Sequence, residues 1–158
     1  MIIRTATEAD LDLILSLVNV AFQVENFFKN QPRLDSEDLA RHFREGAFLL
    51  AEEESRILGC VYVHRHEDRA YFGLLSIDPA RQKSGIGRRL VAGAEEFARE
   101  TGARFMDLKL IHLRTELPGI YEKMGYHLTG IEPYPAERNH MITQPVHFLC
   151  MTKELGHR

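Results

Sequence analysis

The chain has 158 residues, of which 44% are apolar and 27% are charged, as is usual for a soluble globular protein. This length predicts one domain, residues 1–158, with a substantial buried core. The 20 Lys and Arg against 23 Asp and Glu give a net charge of −3, which argues against general nucleic-acid binding, since such proteins carry a basic surface. No apolar run is long enough to cross a membrane and the first residues do not resemble a signal sequence, so a cytoplasmic location without membrane contact is expected.

The residues that commonly bind metals show no metal-site spacing. Cys60 and Cys150 are far apart, and each lies in an apolar run, so we expect two buried thiols and neither a disulfide nor a metal site. His64 and His66 would share one face of a strand, but no third and fourth ligand accompanies them. We therefore expect these two histidines at the solvated end of a hairpin.

The first half of the chain predicts two helices and four strands. Thr7 and Asp10 fit a capping box, and the apolar residues after them recur at helical spacing. Gly46 ends a second helix, and polar turns then join consecutive strands, which indicates antiparallel pairing. In chain order we expect a strand at residues 2–4, helices at 7–22 and at 35 or 36 to 46, and strands at 48–52, 57–64 and 71–77.

The second half alternates between helices and strands. Gly102 suits the end of a helix over about residues 86–101, and Pro118 suits the first turn of a helix closed by Gly125. Strand–helix–strand units predict parallel crossovers, so we expect a mixed α/β sheet with helices on both faces. The remaining strands lie at residues 105–111, 126–131 and 146–153, and a long loop, often a functional feature, joins the last two.

A glycine-bearing turn follows the strand that contains Leu75, Ser76 and Ile77. Backbone N–H groups at the start of a helix, with the helix dipole behind them, bind phosphate. No Gly-Lys-Ser/Thr sequence is present, and Leu90 stands where a dinucleotide-binding turn has its third glycine. The turn predicts a phosphorylated ligand of another kind, and a local cluster of basic residues adds to it: Arg81, Lys83, Arg88 and Arg89.

Two motifs together resemble the GNAT superfamily of acyl-CoA-dependent N-acyltransferases. The first is Gln82-x-x-Gly85-x-Gly87, and the second is Tyr121-Glu122-Lys123-Met124-Gly125-Tyr126. The element order resembles that fold over nearly the whole chain. The resemblance implies a mixed, mostly antiparallel sheet of about seven strands, flanked by helices on both faces. It also implies that acetyl-CoA is the co-substrate, that no metal takes part, and that the acetyl group passes to a primary amine of a small molecule.

The resemblance assigns roles to particular residues. The main chain of Leu75, Ser76 and Ile77 would pair with the pantetheine arm, in a slot where this strand splays from the next. The Ile77 N–H would polarise the thioester carbonyl, and Tyr121 would act as the general acid toward the leaving sulfur. The pyrophosphate would lie on the backbone amides of Gln82, Lys83, Ser84, Gly85, Ile86, Gly87 and Arg88.

The chain departs from the family pattern at two places. Arg114 stands where many relatives have an asparagine that contacts the cofactor arm. Tyr71 and Phe72 stand where some relatives have a carboxylate base, so no general base is assigned. Ordered water or a neutral amine would also suffice, and the side chains that offer substitutes are Glu25, Glu116, Glu137 and His140.

The acceptor pocket is expected between residues 22–34, the hairpin strands and the loop at 132–145. Aromatic and charged side chains together favour a small amine, and those expected to line the pocket are Phe27, Phe28, Tyr134, Glu137 and Arg138. Phe27 and Phe28 fit a homodimer contact equally well. Two other functions stay open: an acyl-CoA-binding sensor without turnover, and an acetyltransferase for protein N-termini or lysines.

Overall fold

The computed structural model describes residues 1–30, 32–82 and 84–156. Within these residues seven strands form one sheet, and they are β1 (Ile2–Thr5), β2 (Ala47–Glu53), β3 (Arg56–His66), β4 (Arg69–Ile77), β5 (Phe105–Ile111), β6 (His127–Pro133) and β7 (His147–Glu154). Their spatial order is β1-β2-β3-β4-β5-β7-β6. Only β4 and β5 pair in parallel among the described strands, which confirms the expected mixed, mostly antiparallel sheet.

Four α-helices of the described chain flank the sheet: α1 (Leu11–Ala21), α2 (Ser36–Glu45), α3 (Ile86–Glu100) and α4 (Leu117–Glu122). Side chains of β2 alternate between the two faces, as the pleat of a strand requires. Phe48 and Leu50 join the core beneath α1 and α2, whereas Leu49 and Ala51 join the core beneath α3 and α4. Helices therefore cover both faces, as expected. None of the described helices is long and apolar enough to span a membrane.

Local sequence explains where the helices begin. The Asp35 carboxylate accepts a hydrogen bond from the Asp38 N–H at 2.8 Å and so caps α2. The predicted capping box of Thr7 and Asp10 is present, but it opens a short 3-10 turn at Glu8–Asp10 that leads into α1. Gly85 precedes α3 with φ of 84°, a left-handed conformation that favours glycine.

A bulge in β4 opens the sheet. Tyr62 pairs with Gly73 and Cys60 pairs with Ser76, so two residues of β4 lie opposite one residue of β3. Leu74 lies in this bulge with φ of 55°. The parallel pairing of β4 with β5 involves only the first three residues of each strand, and the strands splay beyond it. The result is a cleft, here called the β4–β5 cleft, between the second half of β4 and the end of β5.

Two expectations for the later elements are corrected, the end of α4 and the burial of Cys150. α4 ends at Glu122, before Met124, and the chain then turns through Gly125 with φ of 99°. The loop before β7 contains a 3-10 helix at Ala136–Met141. Cys60 is buried as expected, whereas Cys150 is partly exposed, since it lies on β7 next to the exposed edge strand β6.

Candidate functional site

The turn before α3 presents backbone to open space. Asp78 accepts from the Ala80 N–H at 3.0 Å and so shapes the start of the turn, and the Ser84 hydroxyl donates to the Arg81 carbonyl. No side chain of the described residues caps α3, so the first N–H groups of the helix are available to a ligand. A Cβ atom added to Gly85 or Gly87 would meet nothing within 4 Å. Lys83, predicted to contribute to this turn, lies outside the described residues.

The basic cluster around this turn is partly engaged by the protein itself. Arg81 forms an ion pair with Glu53 at 2.8 Å, and Arg89 donates to the Met1 carbonyl at 3.3 Å. Arg88 is exposed and makes no ion pair with the described residues. Among the described members of this cluster, Arg88 is therefore the cation without a protein partner, and it can bind an anion.

The second half of β4 directs backbone groups into the β4–β5 cleft. The Asp78 N–H donates to the Leu58 carbonyl at 2.8 Å, on the β3 side. Successive residues of an antiparallel strand direct their backbone groups to opposite sides, so the Ile77 N–H faces the cleft. The backbone groups of Leu75 face the cleft for the same reason, whereas those of Ser76 face β3. The Ser76 hydroxyl donates to the Leu74 carbonyl at 3.0 Å. The backbone groups of Leu75 and Ile77 therefore point into the β4–β5 cleft, where no described strand pairs with them.

Tyr121 comes from α4, on the α3 and α4 side of the sheet. Its side chain is buried, and its ring contacts those of Phe72 and Tyr126 at centroid distances of 5.9 and 6.1 Å. Its hydroxyl makes no hydrogen bond within the described part of the chain. Burial raises the pKa of Tyr121 to about 12, against the positive charge of Arg114, which lowers it. The phenol is therefore protonated at neutral pH and has a free proton to donate.

Tyr71 on β4 has a placement that its sequence position alone did not reveal. Its hydroxyl lies over Gly73, where an added Cβ atom would be only 2.5 Å away. Tyr71 also raises the pKa of Tyr121, so the two phenols are close enough to interact. A glycine within an apolar strand, two residues after a tyrosine, was the available signal for this arrangement.

Arg114 belongs to a cluster of charges at the turn between β5 and α4. Its guanidinium lies 3.3 Å from the Glu25 carboxylate and 3.1 Å from that of Glu116. Glu25 is buried and also lies 3.7 Å from the Lys29 ammonium. Two of the substitute bases, Glu25 and Glu116, are therefore ion-paired to Arg114. The other two, Glu137 and His140, are exposed in the 3-10 helix before β7.

The two loops expected to line the acceptor pocket are joined by backbone hydrogen bonds. The Asn30 N–H donates to the Met141 carbonyl at 3.0 Å, and the Thr143 N–H donates to the Phe28 carbonyl at 2.7 Å. Phe28 is fully buried, so it belongs to the loop's own core, whereas Phe27 remains 52% exposed. The loop between α1 and α2 and the loop before β7 therefore form one continuous wall.

His64 departs from the expected solvated position. It is half-buried on β3, with the rings of Tyr62 and Tyr71 at 5.8 and 5.6 Å, and burial lowers its pKa. His66 is exposed near the hairpin turn. Over the residues that the structure describes, no group of three or more His, Cys, Asp or Glu side chains is arranged to hold a metal ion.

Comparisons with known proteins agree with this architecture. The family model for the acetyltransferase (GNAT) domain matches residues 44–128. The uncharacterized N-acetyltransferase YhfO of Bacillus subtilis is 26% identical over 136 residues, covering 80% of this chain and 89% of that protein.

Two solved structures share the fold over nearly their whole length. The ribosomal-protein-alanine N-acetyltransferase from Brucella melitensis is 22% identical, with a TM-score of 0.79 and coverage of 98% of this chain and 100% of that one. A GNAT family acetyltransferase from Elizabethkingia anophelis, with acetyl-CoA bound, is 16% identical, with a TM-score of 0.78 and coverage of 98% and 97%. The splayed sheet and the turn before α3 thus occur within a shared architecture.

Proposed function

The chain belongs to the GNAT family of acetyltransferases, and we propose that it transfers the acetyl group of acetyl-CoA to a primary amine of a small molecule. The observation that carries this proposal is the convergence of three features on the β4–β5 cleft. The cleft has the Ile77 N–H on one wall, Tyr121 on the side of α4, and the uncapped start of α3 after β4.

The described residues fit a molecule of coenzyme A. Gly85 and Gly87 leave room for a pyrophosphate on the first N–H groups of α3, and the exposed Arg88 adds a positive charge. Leu75 and Ile77 offer backbone hydrogen bonds to the amide groups of a pantetheine arm. The backbone of Gln82, Ser84 and Ile86 completes the turn, and the Ser76 hydroxyl donates to the Leu74 carbonyl within β4.

Acetyl-CoA supplies an acetyl group activated as a thioester. The Ile77 N–H donates a hydrogen bond to the thioester oxygen and so favours the negative charge that grows there. The amine nitrogen bonds to the acetyl carbon while the carbon–sulfur bond breaks. Tyr121 gives its proton to the departing sulfur, and the nitrogen releases one proton to solvent. Tyr121 regains its proton from water, so each turnover leaves the side chain unchanged.

The wall formed by the two joined loops supports a small acceptor. A protein substrate needs an open groove that admits an extended chain. Here Asn30 bonds to Met141 and Thr143 bonds to Phe28, so the loops cross this side of the molecule together. Two loops joined in this way leave less room for an extended peptide, which favours a compact amine over a protein terminus or a lysine side chain.

The test is product mass spectrometry after incubation of the protein with acetyl-CoA and a panel of small amines and N-terminal peptides. We expect acetylated small amines, and Tyr121→Phe should lower kcat about 100-fold or more, since general acid catalysis contributes at least that much. Acetylation of peptides alone would contradict the small-molecule proposal.

Tyr126→Phe is the matched control. Tyr126 lies beside Tyr121, but its hydroxyl donates to Glu95 at 2.7 Å and has no proton to spare for the cleft. The control should lose stability and keep its kcat. Tight acetyl-CoA binding without any product over the whole panel would support the acyl-CoA sensor instead.

A further inference from the structure

The loop between α1 and α2 lines a polar cavity to which the proposed chemistry gives no role. The cavity is open to solvent and has a volume of about 560 Å³. Four amide side chains and two cations contribute to its lining: Asn19, Gln23, Asn26, Asn30, Lys29 and Arg33. The lining offers hydrogen-bond donors and positive charge to whatever enters.

Lys29 is the unusual member of this lining. The residue is 94% buried, and its backbone bridges to Ile142 in the loop before β7. Its nearest carboxylate oxygen, on Glu25, is 3.7 Å away, which is beyond hydrogen-bond distance. An ammonium group has three donors, and Glu25, which Arg114 shares, is the one carboxylate that pairs with Lys29 among the described residues. A carboxylate that enters the cavity would accept hydrogen bonds that Glu25 alone leaves available.

Positive charge exceeds negative charge at this cavity. Glu25 is shared, since it also accepts from Arg114 at 3.3 Å. Arg33 stacks over the Phe22 ring at 5.3 Å and forms no ion pair with the described residues. Burial lowers the pKa of Lys29 to about 8, and the positive charge of Arg33 lowers it further against the opposing effect of Glu25. An anion in the cavity would relieve this repulsion.

The loop that lines the cavity is linked to the turn before α4. The Glu25–Arg114 ion pair makes this link, and the charge of Arg114 influences the pKa of Tyr121. The chain of contacts from Lys29 through Glu25 to Arg114 therefore connects the cavity with the turn that precedes Tyr121.

We propose that Lys29 and Arg33 bind a carboxylate of the acceptor, so that the preferred substrates are amino acids and other amines that carry an acidic group. This inference rests on the proposed function and adds a substrate class to it. A planar carboxylate suits one ammonium and one guanidinium, with the neighbouring amides donating further hydrogen bonds.

The test compares each of the standard amino acids with its amide as acceptor. The acids should show a kcat/KM about 10- to 100-fold higher, the ratio expected of one charged hydrogen bond. Lys29→Met should lower this ratio at least tenfold, mainly by raising the KM of the acids, and Lys29→Arg should restore part of the ratio. Arg44→Gln, an exposed cation of α2, is the matched control and should leave the ratio unchanged.

A second readout does not depend on turnover. The best acceptor among the amino acids should raise the melting temperature of the wild type at millimolar concentration. If no acceptor is found, each amino acid is tested in turn for this effect. The rise should be absent in Lys29→Met, whose folding is checked by circular dichroism. Equal kcat/KM for acids and amides, or an equal loss for both in Lys29→Met, would overturn the inference. If the protein shows no acetyltransferase activity but its thermal shift depends on Lys29, the anion site would be supported and the proposed function would be rejected.

Discussion

Replacing Gly87 with alanine separates the stability of α3 from its proposed contact with phosphate. Gly87 is the second residue of α3, and an added Cβ atom would meet nothing within 4 Å. Alanine is more favourable than glycine in a helix by about 0.5–1 kcal/mol. The free Gly87→Ala protein should therefore melt about 1–4 °C higher than the wild type, given the entropy of unfolding of a chain of this size.

The same methyl group should weaken the binding of acetyl-CoA. If the pyrophosphate lies on the first N–H groups of α3, the methyl group occupies space that a phosphate oxygen needs. Displacing the phosphate weakens at least one charged hydrogen bond, which contributes about 1.5–3 kcal/mol. We therefore expect the Kd and KM for acetyl-CoA to rise about tenfold or more, while the KM of the acceptor changes little.

Calorimetric titration with acetyl-CoA and thermal denaturation without it measure the two effects separately. Gly130→Ala on the edge strand is the control, since its Cβ atom would also meet nothing within 4 Å. A Gly87→Ala protein that melts higher and binds acetyl-CoA as tightly as the wild type would refute the close approach of phosphate to this backbone.

Three further predictions concern stability and reactivity. Lys153→Met removes an ammonium 3.1 Å from the buried Glu95 carboxylate, and it should lower the free energy of unfolding in urea by about 2 kcal/mol; a loss under about 0.5 kcal/mol would contradict this. The Arg4 guanidinium lowers the pKa of Asp10 to about 2. The ionised Asp10 carboxylate therefore stabilises the fold above pH 4, and this stabilisation is lost as the pH falls toward 2. The melting temperature of Asp10→Asn should accordingly fall less than that of the wild type between pH 5 and 2. Burial raises the pKa of the Cys60 thiol to about 12, so a thiol reagent should label Cys150 first in the native protein and both residues in urea.

Much of the fold was predictable because its signals are local. The spacing of Ile86, Leu90, Val91 and Ala94 predicts α3, and all four side chains are buried beneath it. The polar turns between strands predict the antiparallel pairs of β2 with β3 and of β3 with β4. Element ends were less accurate, as at α4, since a short helix depends on tertiary packing more than on its own sequence.

The candidate site was predictable only in part. The glycine turn and Tyr121 are short motifs, and a resemblance to known enzymes connects them. The bulge at Leu74 left no sequence signal, because bulges depend on the pairing of two strands. The half-buried state of His64 was also missed, since the aromatic rings beside it belong to two different strands.

By itself, the sequence determined the order of the elements, the faces that the helices bury and the position of the glycine turn at Gly85 and Gly87. These features depend on residues within a few positions of one another, so periodicity and turn chemistry specify them. Only the tertiary structure decided the opening of the β4–β5 cleft, the placement of the Tyr71 hydroxyl and the charge balance around Lys29. Glu25 and Arg114 are 89 positions apart, and their ion pair exists because packing brings two loops together. An interaction between distant residues has no local pattern, so its geometry had to come from the folded chain.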